Sequence, residues 1–295
     1  MNIGFIGLGV MGNPIGSNLV RDGGYNVSVF DIHTERADNL VEMGALRAKS
    51  VAQAVEGANV IMTSLPGPDQ IEAVAFDDDG LFANIQAGAV WIDLSTSNLE
   101  LCKRIAACAT EQKVDYLDAP VSGGDEGARA GNLTILVGGE KAVFERYLPV
   151  LQVIGERITY LGPSAAGCCA KIAQVVLCYL HSLALSEALM LGIKGGVEAS
   201  EMLSIIQNST GRSYVAQRYG PPILRGDYDP SFTLGLAHKD MKLAQAMADD
   251  LGLRLPMCDL TTEIYARALE QYGFDANHLK AVRLLENDNK TFLRE

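Results

Sequence analysis

The first thirty residues place a glycine-rich turn between an apolar strand and a helix, and few folds accommodate that order of elements. Residues 1–6 are mostly apolar, Gly7, Gly9 and Gly12 follow, and residues 10–21 carry apolar side chains at helical spacing. A second apolar run at residues 25–30 ends at Asp31. This order predicts a strand–turn–helix–strand unit that holds the pyrophosphate of a dinucleotide at the helix N-terminus.

The three glycines have separate tasks in this prediction. Gly7 allows the tight turn, Gly9 lets the backbone approach the pyrophosphate, and Gly12 lets the helix pack closely on the strand. Asp31, at the carboxyl end of the second strand, is placed to bind the ribose hydroxyls. The alternative is a glycine-rich turn that binds nothing. The residues expected to line the cofactor here are Gly7, Leu8, Gly9, Val10, Met11, Gly12 and Asp31.

Charge and cysteine usage restrict the class of partner. The formal net charge is −12 and the chain has no block rich in Lys or Arg, which argues against nucleic acid or an acidic membrane surface. The six cysteines show no CxxC pair and no metal-ligand spacing with His. The start of the chain lacks the basic segment of a signal peptide. We therefore expect a cytoplasmic, reduced, metal-free protein that acts on small molecules.

The pattern of apolar residues changes near Gly162. Before it, apolar runs alternate with helical stretches, which predicts a mostly parallel sheet covered by helices on both faces. After it, only helices are expected. The fold class predicted is α/β, with an N-terminal, doubly wound Rossmann domain at residues 1–162, a long interdomain helix at 163–193 and an all-helical substrate and oligomerisation domain at 194–295. The strands expected after the second lie at residues 58–65, 89–94, 115–119, 133–137 and 157–161.

The stretch from 168 to 193 is apolar nearly all round, yet we do not expect it to span a membrane. Lys171, Gln174, His181 and Glu187 interrupt it, and basic flanking loops are missing. A helix that is apolar on every face is buried, here between two domains or against a second subunit. This predicts a homo-oligomer, either a dimer or a tetramer.

Three other segments carry candidate chemistry. Lys171 in an apolar helix is a candidate proton donor or acceptor, because desolvation favours a neutral amine; the alternative is a lysine that extends to solvent. Ser122, Gly123 and Gly124 follow a predicted strand and form a loop whose hydroxyl and amides suit a carboxylate, although taken alone they are a tight turn. Further strand ends, expected to line the cofactor groove, contain Leu65, Pro66 and Thr96.

Taken together, these segments resemble the β-hydroxyacid dehydrogenases, a family that includes 3-hydroxyisobutyrate dehydrogenase and tartronate semialdehyde reductase. The resemblance covers nearly the whole chain. It is carried by collinear segments: GFIGLGVMGNP (4–14), SLP (64–66), DLST (93–96), DAPVSGG (118–124), GNLTILVGG (131–139), the helix of Lys171, STGRSY (209–214) and HKDMKLA (238–244).

The resemblance implies a role for residues in three of these segments. Ser122 and the amides of Gly123 and Gly124 would bind the substrate carboxylate. Lys171 would be the general acid and base in the reversible oxidation of a β-hydroxyacid. Lys239 and Asp240 would close over the nicotinamide side of the cofactor. The acidic Asp31 favours NAD, and NADP stays possible.

Two positions depart from the family pattern. Ala165 stands where a glycine is usual, and Val175 replaces an asparagine that helps to bind the substrate. Gln174 offers an amide one residue earlier, and Arg212 offers a guanidinium for a second carboxylate. The alternatives are therefore a dehydrogenase of a bulkier or dicarboxylic hydroxyacid, or a non-catalytic dinucleotide-binding protein. Imine reductases share the fold but lack the lysine, and 6-phosphogluconate dehydrogenases are much longer.

Overall fold

The structure, a computed structural model, describes residues 1–226 and 232–294. The chain divides into two compact units, Met1–Lys171 and Ile172–Glu295. The first unit combines a sheet with helices, and the described part of the second unit is helical. The predicted fold class is therefore confirmed.

The first unit is built on one sheet with the strand order β3-β2-β1-β4-β5-β6-β8-β7, and β9 pairs with β8. The strands β1 to β6 pair in parallel, whereas β8 is antiparallel to both β6 and β7. The crossover after β3, from one side of β1 to the other, marks the edge where α/β sheets bind ligands. The strands are β1 (Asn2–Ile6), β2 (Asn26–Phe30), β3 (Leu46–Arg47), β4 (Val60–Thr63), β5 (Val90–Asp93), β6 (Asp115–Asp118), β7 (Val121–Ser122), β8 (Leu133–Gly139) and β9 (Gly155–Gly162).

Alternate residues of the central strands enter two different cores. Met62 and Ile92 belong to one buried cluster, and Ile61 and Trp91 belong to the other. Because successive strand residues point to opposite faces, both faces of the sheet are covered, as the doubly wound arrangement requires. The helices that begin in this unit are α1 (Gly12–Arg21), α2 (Asp38–Glu42), α3 (Val51–Val55), α4 (Pro68–Phe76), α5 (Leu81–Asn84), α6 (Leu99–Glu111), α7 (Gly124–Ala130), α8 (Lys141–Leu151) and α9 (Ala166–Lys194).

The second unit has its own apolar core, to which most of α9 contributes. Among the described residues, α9 is the helix that is long enough and apolar enough to cross a membrane. Its residues Val176, Tyr179 and Leu183 are buried in this core, which is the behaviour of a core helix. The remaining helices are α10 (Ala199–Asn208), α11 (Tyr214–Arg218), α12 (Gly220–Arg225), α13 (Leu234–Asp250), α14 (Pro256–Tyr272) and α15 (Lys280–Asn289).

The sequence patterns missed only short elements. The strands β3 and β7 have two residues each, and α3, α5, α7, α11 and α12 have four to seven. Elements of this length are too short to display a hydrophobic period. Apolar spacing predicts one helix over residues 34–43, whereas the structure has a 3₁₀ turn, Thr34–Ala37, followed by α2.

Candidate active site

The turn between β1 and α1 has the geometry of a phosphate cradle. Gly7 has a φ of +91°, and a Cβ on Gly7 would collide with the carbonyl oxygen of Ser64. A Cβ on Gly12 would collide with the carbonyl oxygen of Gly7, whereas a Cβ on Gly9 would have no atom within 4 Å. The first bond of the helix runs from the N–H of Asn13 to the carbonyl of Gly9, at 3.0 Å. The turn is thus closed on the protein side and open at Gly9, the side on which the sequence predicts a pyrophosphate.

Asp31 braces this turn from the end of β2. Its Oδ2 accepts a hydrogen bond from the N–H of Leu8 at 2.6 Å, and its Oδ1 accepts one from the N–H of His33 at 2.8 Å. The guanidinium of Arg36 lies 3.5 Å from Oδ1. A carboxylate has about four acceptor sites, so Asp31 retains capacity for ribose hydroxyls.

The ends of β4 and β5 form a connected edge beside the turn. The hydroxyl of Thr63 donates to Asp93 Oδ1 at 2.7 Å, and the N–H of Leu65 donates to Ser95 Oγ at 2.9 Å. Burial raises the pKa of Asp93. Leu65 and Thr96 are half-buried and Pro66 is exposed. These residues follow strand ends, as expected from the sequence.

Ser122 is the last residue of β7, and the loop expected around it is shorter than the sequence indicated. Gly124 is already the first residue of α7, so Gly123 alone connects the two elements. The φ angles of Gly123 and Gly124 are +138° and +64°. Side chains rarely adopt such angles, so glycine is required for the chain to leave β7 in this direction. Ser122 is half-buried and both glycines are exposed.

Lys171 lies in the second turn of α9 and is half-buried. The start of this helix is held by Asp118, the last residue of β6. Asp118 Oδ1 accepts from the N–H of Ala165 at 2.7 Å, and Oδ2 accepts from the N–H of Cys168 at 2.9 Å. Ala165, just before the helix, takes a φ of +79°. The chain therefore adopts a glycine-like conformation without glycine at this position.

Two thiols lie beside Asp118. Ligand atoms of Cys102, Asp118 and Cys168 all lie within 4.8 Å of one another. The Cys102 thiol and burial raise the pKa of Cys168 well above its usual range, so the neutral thiol is favoured. Since both oxygens of Asp118 already accept backbone N–H groups, we interpret this cluster as a buried thiol pair. The expectation of a metal-free site stays a prediction.

The other candidate residues belong to the second unit. Asp240 in α13 is buried, and it accepts a hydrogen bond from the Tyr179 hydroxyl at 2.8 Å. The ammonium of Lys239 lies 3.0 Å from the other oxygen of Asp240. Burial and the neighbouring Asp240 raise the pKa of Tyr179 well above its usual range, so the hydroxyl keeps its proton and donates. Lys239 is therefore tied to a carboxylate that is itself fixed to α9.

The residues at the two departures from the family pattern differ in exposure. Val175 is half-buried and packs against the core of the second unit, whereas Gln174 is exposed. Arg212, between α10 and α11, is also exposed. An apolar side chain at 175 therefore suits its surroundings, and the amide and guanidinium expected to contact substrate are accessible.

Family models match both halves of the chain. Residues 2–162 match the NAD-binding domain of 6-phosphogluconate dehydrogenase, and residues 165–285 match the NAD-binding domain of NADP-dependent 3-hydroxyisobutyrate dehydrogenase. The chain is 38% identical to the 2-(hydroxymethyl)glutarate dehydrogenase of Eubacterium barkeri, over 90% of this chain and 88% of that protein. It belongs to the β-hydroxyacid dehydrogenase family.

Two further family members lie at a comparable distance. An NAD-dependent L-serine dehydrogenase of Pseudomonas aeruginosa is 37% identical over 96% of this chain and 97% of that protein. A solved structure of Mycobacterium tuberculosis 3-hydroxyisobutyrate dehydrogenase with L-serine superposes with a TM-score of 0.87 at 29% identity, covering 96% of this chain and 98% of that one. The resemblance seen in the sequence is confirmed, as is the assignment to NAD(P)-dependent oxidoreductases that act on hydroxyacids. The residue roles and the domain boundaries stay predictions.

Two residues of this family member were not recognised from the sequence as candidates. Asp118 belongs to the DAPVSGG segment. A buried aspartate at the end of a strand indicates a hydrogen-bonding partner, but the sequence does not show which residue that partner is. Tyr179 lies eight residues after Lys171 on α9, within a helix that is apolar on all sides. Nothing in the sequence separated it from other core aromatics.

Proposed function

We propose that this family member reversibly oxidises a small β-hydroxyacid to its semialdehyde or keto acid, with Lys171 as general acid and base. The observation that carries the proposal is the pair of hydrogen bonds to Asp118 from Ala165, just before α9, and from Cys168 in its first turn. Asp118 lies four residues before Ser122 in the chain, and Cys168 lies three residues before Lys171. One carboxylate thus joins the segment proposed to bind the substrate carboxylate to the helix that carries the proposed base.

The residues of the first unit have distinct proposed roles. The amides at the start of α1 would hold the phosphates of the cofactor, which when bound would supply the hydride-transfer chemistry. Ser122 and the amides of Gly123 and Gly124 bind the substrate carboxylate. Lys171, as the neutral amine, takes the hydroxyl proton during oxidation and, as the ammonium, returns it during reduction.

We also propose that NAD is preferred over NADP. Asp31 accepts ribose hydroxyls, and its negative charge repels a 2′-phosphate. Arg36, 3.5 Å from Asp31, supplies the positive charge through which NADP retains some activity. Leu65, Pro66 and Thr96 complete the cofactor groove in this proposal, and Lys239 and Asp240 act on the nicotinamide side.

A second candidate substrate is a bulkier or dicarboxylic hydroxyacid. The apolar Val175, the exposed guanidinium of Arg212 and the exposed amide of Gln174 favour this candidate. The relative from Eubacterium barkeri is also named for a dicarboxylate. If a dicarboxylate is the substrate, Arg212→Gln raises its KM at least tenfold and leaves the KM of L-serine unchanged. Equal effects on both substrates would exclude this role for Arg212.

The protein is proposed to be a cytoplasmic homodimer or homotetramer. Leu177 and Leu191 on α9 are 50% and 78% exposed, and a helix brings residues fourteen apart to nearly the same face. These two exposed leucines are the apolar side chains of α9 that a second subunit would cover. Leu191→Asp is expected to lower the mass measured by light scattering, and an unchanged mass would contradict the proposed interface.

Replacement of Lys171 tests the reaction. Lys171→Ala is expected to lower kcat by a factor of about 100 or more, the usual effect of losing a general acid or base, while NADH binding measured by fluorescence persists. Lys194→Ala, at the other end of α9, is the matched control and should keep kcat. The substrates are 3-hydroxyisobutyrate, glycerate, L-serine and 2-(hydroxymethyl)glutarate. Undiminished turnover by Lys171→Ala would refute the proposal and favour a binding protein or another base.

A further inference from the structure

Asp118 is one of the least exposed acidic residues described, and its surroundings do not neutralise it with a cation. It is fully buried at the end of β6, next to Asp93 on β5 in the sheet register. Burial raises the pKa of Asp118 to about 6, even though two backbone N–H groups stabilise the ionised form. A buried carboxylate of this kind is costly, which indicates that it performs a task.

Two hydrogen bonds to the side chain of Asp118 come from the start of α9. Both oxygens are used, one by the N–H of Ala165, the residue before α9, and one by the N–H of Cys168 in its first turn, so the carboxylate holds the helix start at two points. Charge-assisted bonds to a helix N-terminus are stronger than neutral ones, and the helix dipole adds to them. Two bonds from one planar group restrict both the position and the rotation of the turn.

Two glycines beside this contact are closely packed against it. A Cβ on Gly138 of β8 would lie 2.5 Å from Asp118 Oδ1 and 2.9 Å from the backbone nitrogens of Ala166 and Gly167. A Cβ on Gly167 would lie 2.6 Å from the carbonyl oxygen of Asp118. Glycine at both positions is what allows the helix to approach the strand closely enough for the carboxylate to reach it.

We propose that Asp118 is a positioning residue that sets the place of the Lys171 amine relative to the Ser122 segment by holding the first turn of α9. The inference rests on the proposed role of Lys171. Cys168 and Lys171 are three residues apart and so occupy the same side of the helix, about 4.5 Å apart along its axis. On the other side of the contact, β6 leads through Ala119 and Pro120 to Ser122. Their backbones are held by bonds to Asp93 and Leu136, at 2.7 and 3.1 Å.

The test compares Asp118→Asn with Asp93→Asn and Lys171→Ala. Asparagine keeps the size of Asp118 but offers one acceptor and sets an amide N–H against the second helix N–H. Misplacing a reacting group by about 1 Å costs up to 100-fold, so kcat of Asp118→Asn should fall about 10- to 100-fold. The Kd for NADH, measured on the same sample, should change less than about twofold, because the α1 turn is untouched.

Asp93→Asn controls for the loss of a buried charge. The described contacts of Asp93 are made by Oδ1, with Thr63 and Ser95, and an asparagine oxygen can keep both. Its effect on kcat should be much smaller than that of Asp118→Asn. Equal losses in the two variants would mean that Asp118 matters only as buried charge and would overturn the positioning role.

Two further outcomes separate this inference from the proposed function. If Lys171→Ala keeps turnover, both fall together. If Lys171→Ala loses turnover but folded Asp118→Asn matches the wild-type kcat, only the positioning role is wrong. Should Asp118→Asn fail to fold, Gly167→Ala perturbs the same contact from the helix side with the carboxylate intact. It is expected to lower kcat at unchanged NADH affinity, and a wild-type kcat would contradict the inference.

Discussion

The starts of α1 and α9 are built from the same parts and differ in what occupies them. Each helix follows a strand through a turn with a positive φ, and each turn is gripped by an aspartate at the end of a parallel strand. Asp31 takes the N–H of Leu8 before α1, and Asp118 takes the N–H groups of Ala165 and Cys168 at the start of α9. At α1 the carboxylate of Asp31 lies beside the helix N-terminus, which stays open. At α9 the carboxylate of Asp118 occupies the helix N-terminus.

This difference distinguishes a candidate ligand site at α1 from a structural contact at α9, in which Asp118 holds Ala165 and Cys168. Helix N-termini attract anions, and at α1 the space at Gly9 is open, as the proposed binding of a phosphate requires. At α9 the protein supplies its own anion, so the same physical attraction fixes a helix instead of binding a ligand. In the function proposed above, the first arrangement holds the cofactor, and the second holds the helix that carries Lys171, the proposed general acid and base.

Substitutions at the glycines of α1 should have the largest effect. Gly12→Ala places a Cβ against the carbonyl of Gly7 and should cost about 3 kcal/mol or more of stability, as other buried backbone clashes do. Gly9→Ala meets no atom and should change stability by less than about 0.5 kcal/mol. It should nevertheless weaken NADH binding, since it fills the phosphate approach. Urea denaturation measures the stability of each variant, and fluorescence titration measures its NADH affinity. Full NADH affinity in Gly9→Ala would contradict the proposal that a phosphate approaches the backbone at Gly9.

The pH dependence of stability should show the titration of Asp118 at the start of α9. The pKa of Asp118 is raised from 3.8 to about 6, so the folded protein holds this proton more tightly than the unfolded chain. Its contribution is therefore favourable in acid and is lost as pH rises from about 4 through 6, by about 3 kcal/mol.

The difference between wild type and Asp118→Asn isolates that contribution from all other groups. Asparagine does not titrate, so the stability of the variant relative to wild type should rise with pH across this window. Denaturation at intervals between pH 4 and pH 8 provides the curve. A difference that is flat with pH would show that Asp118 titrates normally.

Replacing Ala165 by glycine should change stability by a smaller amount, and in the opposite direction to a control alanine-to-glycine substitution inside a helix. Its φ of +79° costs an alanine about 1 kcal/mol, which glycine does not pay, so Ala165→Gly should raise stability by about that amount. Ala107→Gly, at an exposed position inside α6, should lower stability by about 1 kcal/mol. Thermal melts of the two variants should shift in opposite directions, and a destabilised Ala165→Gly would contradict the strained turn.

Arg36 should have the smallest effect on stability. It is largely exposed and 3.5 Å from Asp31, so Arg36→Ala should change the free energy of unfolding by less than about 0.5 kcal/mol. The kcat/KM for NADP should fall more than that for NAD. Equal losses with both cofactors would show that Arg36 does not contribute to cofactor choice.

The geometry of the turn before α1 was predictable from the sequence because the residues that form it lie close together in the chain. Gly7, Gly9, Gly12 and Asp31 have fixed spacing and each has a known mechanical task. The long helix α9 and the change to helices near Gly162 were also readable from apolar patterns. The seven short strands and helices were not, because two to seven residues do not reveal a period.

The structural contact at α9 was not predictable in the same way. Asp118 and Cys168 are fifty residues apart, and no local pattern connects a strand-end aspartate to a particular helix. The departure at Ala165 was visible as a missing glycine, but its physical meaning needed the φ angle. The same holds for Tyr179 and Asp240, whose bond spans 61 positions of the chain.

A double-mutant cycle on Asp118 and Lys171 tests the central claim most directly. If Asp118 acts on catalysis by placing Lys171, Asp118→Asn should lower kcat about 10- to 100-fold in the wild-type protein and have almost no effect in a Lys171→Ala background. The residual turnover of both lysine variants should then be equal within error, with both proteins folded and binding NADH. Independent losses that multiply in the double variant would contradict the claim.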